Sequence, residues 1–193
     1  MKVIPMTGVS WSDDSRVNIH ELLDEFYAAP IGHAELGQFE PVTQVPPPYA
    51  SLLDHHEHMT VTVESFYGQP VDVNVHRSEK NGDSYAREIT LVATQSRQVV
   101  MYGIVRIDTS TLHREVWQQV ESQKIPLGRV LIEHNVLREV QMCDLVRVTA
   151  GVSLAERMGR KIGDVLYGRT ALIYCHGHAA IELLEIVAPT PAS

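Results

Sequence analysis

From Val71 to Ile107 apolar side chains tend to recur at every second position, and the run is cut only by short turn sequences. A period of two belongs to strands with one buried face, whereas a helix repeats near 3.6. Val71, Val73 and Val75 alternate with polar neighbours; Asn81-Gly82-Asp83 is a turn signal; Tyr85 to Leu91 alternates again; and Gln95-Ser96-Arg97-Gln98 separates that strand from Val99–Ile107. Turns this short join antiparallel neighbours, because parallel strands need a long crossover. A terminal hairpin is predicted from Arg169–Cys175 and Ala179–Val187 around His176-Gly177-His178. Val61 and Val63, alternating with Thr60, Thr62 and Glu64, predict a further strand that pairs with the Val71 strand through Gly68-Gln69-Pro70. Helices are predicted from Asp108 or Thr109 to about Gln123, with Leu112, Val116 and Val120 at helical spacing, and from Ser153 to about Leu166. The expected fold class is α+β: an antiparallel β-sheet of about six strands with helices packed on one side of it.

Residues 1–48 read as an N-terminal extension to a domain over 49–193. Asn18 followed by Glu21 forms a candidate capping box ahead of Ile19, Leu22, Leu23 and Phe26. The proline-containing run from Ala28 to Pro48 reads as an irregular connector, and Tyr49 to Leu53 as one or two helical turns. At 193 residues the chain is long enough for a substantial core. Its net charge of -8 argues against a general nucleic-acid binder, and no apolar run reaches the length of a bilayer span. Met1-Lys2-Val3-Ile4-Pro5-Met6 lacks the apolar core of a signal peptide, and Cys143 and Cys175 form no CxxC. A cytoplasmic protein with no metal, no cofactor, no membrane partner and a small-molecule ligand is the expectation.

Two residues conflict with the strand pattern. Arg87 shares a face with Tyr85, Ile89 and Leu91, while Glu88 and Thr90 point the other way. A guanidinium stays charged at any accessible pH, so placing it on an apolar face calls for an anion, from the protein or from a ligand. Near the C-terminus Glu185 is in phase with Ile181, Leu183 and Val187, and Glu182 with Ala180, Leu184 and Ile186. A carboxyl in apolar surroundings is suited to general acid or base work, and it is equally suited to pairing with Arg87 as a structural ion pair.

Glu57-His58-Met59-Thr60, Tyr85-Ala86-Arg87-Glu88-Ile89, Ile125-Pro126-Leu127-Gly128-Arg129, Leu137-Arg138, Gly168-Arg169 and Glu185 ahead of Pro189 occur in an order and spacing that resembles the chorismate lyase (chorismate–pyruvate lyase) family. The resemblance runs from about Leu52 to Pro189. It implies a six-stranded antiparallel sheet with flaps over an enclosed pocket, and conversion of chorismate to 4-hydroxybenzoate and pyruvate. By position it assigns Arg87 and the backbone N–H groups of Met59 and Leu127 to the ring carboxylate, and Glu185 to the ring hydroxyl as proton carrier. Arg138 and Arg169 are candidates for a second substrate carboxylate. Between Gly177 and Glu185 the chain carries one residue more than the enterobacterial type, so a bulge is required to keep Glu185 in phase; without it Glu182 would face the pocket.

Asp54-His55-His56-Glu57-His58 lacks the spacing of a zinc motif and reads as a polar flap, and His176 and His178 as residues of an exposed turn. The leading expectation is therefore an enzyme, a chorismate lyase. The alternatives are a non-catalytic aromatic-acid-binding (effector-sensing) module of the same fold, as found in transcription regulators, and an enzyme for another chorismate-derived acid.

Overall fold

Seven strands pair without a break into a single sheet. They are β1 (Gly37–Val42), β2 (Val71–Asn81), β3 (Ser84–Ala93), β4 (Val99–Asp108), β5 (Arg138–Ala150), β6 (Val165–Cys175) and β7 (His178–Val187). Their spatial order is β1-β5-β6-β7-β4-β3-β2, and every neighbouring pair is antiparallel. The fold, seen in a computed structural model that describes residues 16–189, is α+β and chorismate lyase-like. Among the described residues no helix is long and apolar enough to cross a membrane.

The hairpins form where turn chemistry permits. Gly82 (φ 60°) closes β2–β3, and His176 with Gly177, both at positive φ, closes β6–β7. The sheet has one strand more than expected because β1 and β5, neither of them predicted, join it while the strand expected at Val61 and Val63 does not; β1, inside the segment read as an irregular connector, pairs with β5 from Gly37↔Ala150 to Val42↔Leu145. That same segment also carries helix α2 (Ile31–Leu36). Strand β5 itself gave little alternation signal: polar residues stand throughout it, and its ladder shifts register between Met142 and Asp144.

Helices cover both faces, not one. On the Arg87 face lie α3 (Tyr49–Leu53), α4 (Met59–Tyr67), α5 (Arg114–Glu121) and α6 (Leu127–Glu133), whose Leu53, Val63, Val116, Val120, Val130 and Leu131 are buried. On the opposite face α1 (Ile19–Asp24), α2 and α7 (Val152–Met158) bury Leu22, Leu23, Leu36 and Leu154 against Tyr102, Ile104, Leu184 and Ile186. Asn18 caps α1 as the sequence predicts, accepting from the N–H groups of His20 and Glu21 while its amide donates to Glu21.

The strand expected at Val61 and Val63 is helix α4. Met59 and Val63, four residues apart, are both buried, whereas Val61 is exposed, which is a helical and not a pleated division of faces. Five residues of alternation cannot by themselves separate the two periods. Gly68, at φ 63°, ends α4 in the left-handed conformation that glycine adopts at low cost. The 3-10 turn Thr109–Thr111 separates the Asp108 cap from α5, and Gly159 stops α7 well before Leu166.

Candidate functional site

Register places the expected site residues on one face of the sheet. Arg87 is opposite Val105, which is opposite Leu183 and then Ala171; the next row along is Ile89, Gly103, Glu185 and Arg169. Arg87 and Glu185 thus share a face, two strand spacings or about 10 Å apart laterally and one row out of step. Gly103 stands between Ile89 and Glu185, so the second row has a gap where a side chain would stand. The β6–β7 ladder shifts register between Ile173↔Ile181 and Tyr174↔Ala179, which leaves one extra residue on β7. This is the bulge that the resemblance implied. Glu185 accordingly faces the Arg87 side, and Glu182 is turned to the other face, where Arg106 Nε donates to it.

A cavity of about 40 Å³ lies over the gap. Its floor is Ile89, Gly103, Val105, Leu183 and Glu185; its roof is the start of α4 (His58, Met59, Thr60) and the start of α6 (Pro126, Leu127, Gly128). The two helix N-termini are close because Gly128 has no side chain: a Cβ there would stand 3.0 Å from Thr60 Oγ1 and 3.2 Å from His58 Cβ. Helix N-termini present unpaired N–H groups and favour anions. Met59 and Leu127 are the first residues of α4 and α6.

Arg87 does not itself line this cavity, but Val105, its cross-strand partner, and Ile89, its next neighbour on the same face, do. It is fully buried. Nη1 makes one long bond of 3.5 Å to Val120 O, and among the described residues Nε and Nη2 have no hydrogen-bond partner. Burial pulls its pKa down, and the nearby Tyr85 side chain works against that shift. The alternative reading, in which Arg87 and Glu185 pair as a structural ion pair, does not hold: Glu185 pairs with another arginine.

Glu185 is instead held by Arg169, its cross-strand partner, whose Nε donates to Oε2 at 2.8 Å. Arg169, itself fully buried, spends its remaining donors on the backbone of the α3–α4 link: Leu53 O at 3.3 Å, His55 O at 2.7 Å and Glu57 O at 3.1 Å. Its guanidinium therefore pins the chain that leads into α4. Arg138 lies outside the cavity, in an open cleft of about 600 Å³ with His56, Glu57 and Glu139. Its Nε donates to His58 Nε2 and its Nη1 to Val136 O at 2.9 Å. His58 belongs to the walls of both cleft and cavity, and burial followed by the Arg138 and Arg169 charges lowers its pKa to about 4.

Alternation placed Glu88 on the opposite face but gave no sign of what surrounds it. Glu88 is fully buried there. Tyr27 Oη donates to Oε1, Tyr102 Oη donates to the same atom at 2.8 Å, and Arg77 Nε donates to Oε2 at 2.7 Å. Burial works to raise its pKa, but these three donors prevail and hold it below the ordinary carboxylate value.

No protein-family model matches the sequence, and no curated protein does. The solved structures that share the fold include PhnF from Mycobacterium smegmatis (7% identity, TM-score 0.51) and the effector domain of the same protein (9%, TM-score 0.51). The first match spans 67% of this chain and 63% of that one; the second spans 68% and 87%. The ligand-binding domain of a putative GntR-family transcriptional regulator from Bordetella bronchiseptica is also similar (12%, TM-score 0.47, 63% and 87% covered). The expectation of a chorismate lyase is corrected by these matches. The chain shares its fold with the effector domain of PhnF, and its short lyase-like motifs produce no family match. Physically, the glutamate expected to carry a proton is committed to Arg169, its cross-strand partner.

Proposed function

We propose that the domain is a non-catalytic, effector-sensing module that binds a small carboxylate-bearing molecule on the Arg87 face of the sheet. The observation that carries this reading is Arg87: a permanently charged side chain, fully buried, with two of its three nitrogens unpartnered among the described residues. A carboxylate would satisfy those donors in the planar, bidentate manner that guanidinium favours. The backbone N–H groups at the start of α4 and α6 would supply the remaining donors, and the Ile89, Val105 and Leu183 side chains an apolar bed. Glu185 and Arg169 act as positioning residues that hold the α3–α4 link. Arg138, paired with His58, stands at the outer cleft.

The small cavity favours sensing. A ligand larger than a few waters has to part α4 from α6, so binding is coupled to movement of the roof. A ligand that binds the opened form better shifts the population toward it, and that shift is the signal. Calorimetric titration with benzoate and with 4-hydroxybenzoate tests the proposal. Saturable binding in the native chain that disappears in Arg87→Met supports it. Equal affinity in Arg87→Met removes it.

A further inference from the structure

The far face of the sheet carries a second cluster of charge that the effector site does not use. Arg77 Nε and Arg157 Nη2 converge on one oxygen, Glu88 Oε2, at 2.7 and 3.7 Å. The other oxygen is occupied by the hydroxyls of Tyr27 and Tyr102. One carboxylate, already accepting from three strong donors, therefore faces two guanidiniums, and Arg157 reaches it only at 3.7 Å. Neither guanidinium is sealed in: the Arg77 and Arg157 side chains retain 39% and 31% of their exposure. Among the described residues Arg77 Nη2 has no hydrogen-bond partner, and Arg157 makes only its long contact with Glu88.

Both arginines open into a cleft of about 460 Å³ between the α1–α2 link and α7. Phe26, Ile31, Glu35 and Ser153 line it with them. Arg77 is held in place by stacking: its guanidinium carbon is 4.4 Å from the Tyr27 ring centroid and 5.2 Å from that of Phe26, while Nη1 donates to Phe26 O at 2.9 Å. A fixed cation with a spare donor edge, a second cation beside it and the apolar side chains of Phe26 and Ile31 in the same lining match a small organic monocarboxylate. The volume lies within the range of small-molecule sites.

We infer that the Arg77–Arg157 cleft is a second anion site, on the sheet face opposite Arg87, which takes a small monocarboxylate with an apolar body. Phosphate, with higher charge and no apolar surface, fits less well beside Glu35 and Glu88.

The test is an amide NMR titration of the full chain with benzoate and, separately, with inorganic phosphate, in native, Arg157→Gln and Arg87→Met forms. Benzoate is expected to shift the amides of residues 26–32 and 153–157 saturably, with affinity at least tenfold weaker in Arg157→Gln and unchanged in Arg87→Met. The amides of Met59 and Leu127 report the Arg87 site separately, so loss at one site is distinguishable from loss at the other. Unmoved amides at 26–32 and 153–157, equal affinity in Arg157→Gln, or phosphate binding as tightly as benzoate would each overturn the inference.

Discussion

Arg87 and Glu88 are adjacent on β3, and both charges are fully buried, yet they point to opposite faces of one sheet and do not meet. Glu88 is surrounded by donors from α1 and its exit, β2, β4 and α7, whereas Arg87 has one long bond to a backbone carbonyl. The first is a satisfied structural charge. The second has no anionic partner among the described residues.

Replacing Arg87 with an apolar residue of similar length is therefore expected to stabilise the ligand-free protein. Substituting well-packed hydrophobic groups for buried charge is often neutral or favourable by about 1–4 kcal/mol. Arg87→Met should raise the urea midpoint in the absence of ligand and abolish the further rise that benzoate gives the native chain. A lower midpoint without ligand would show that Arg87 is structural.

Glu88 should behave in the opposite way. Glu88→Gln removes the charge on which Arg77 and Arg157 converge, and it should cost about 2–4 kcal/mol, less than a wholly buried pair because Arg77 reaches solvent. Tyr27→Phe removes one neutral donor and should cost about 1 kcal/mol. Chemical denaturation measures both, and a Glu88→Gln loss no larger than that of Tyr27→Phe would contradict the charge accounting.

Stability should fall on mild acidification, through His58. Unfolded, its imidazole takes up a proton near 6.5; folded, it resists until about 4. Between those values the unfolded state binds more protons, so stability rises with pH there, is fully present above 6.5 and is lost as pH drops toward 4. His55 and His76 are also lowered by burial and act in the same direction. The full effect of His58 is no more than about 3 kcal/mol. Denaturation midpoints measured across this range in the native chain and in His58→Asn give the check: the variant should show the shallower slope.

Gly128 sets the spacing of α4 and α6. Gly128→Ala would place a Cβ 3.0 Å from Thr60 Oγ1, so one of the two helix starts must give way. A cost of about 1 kcal/mol and weaker benzoate binding are expected, with the amide shifts centred on Met59 and Leu127. Unchanged affinity would mean that the two N-termini do not act together.

The sequence by itself determined the hairpins β2–β3, β3–β4 and β6–β7 and the phase of Arg87. Each depends on a period of two or on turn residues, which are local properties. Tertiary structure alone decided that Val61 and Val63 are helical, since five alternating residues satisfy either period until Met59 and Val63 dock on the sheet. It also decided that β1 joins the sheet, because an edge strand containing Pro41 has no pattern of its own and takes its register from β5. Above all, it decided the partners of buried charge. Alternation shows which face a side chain leaves from, but only the folded chain brings Arg169 to Glu185 and Arg77, Tyr27, Tyr102 and Arg157 to Glu88, while leaving Arg87 without an anion of its own.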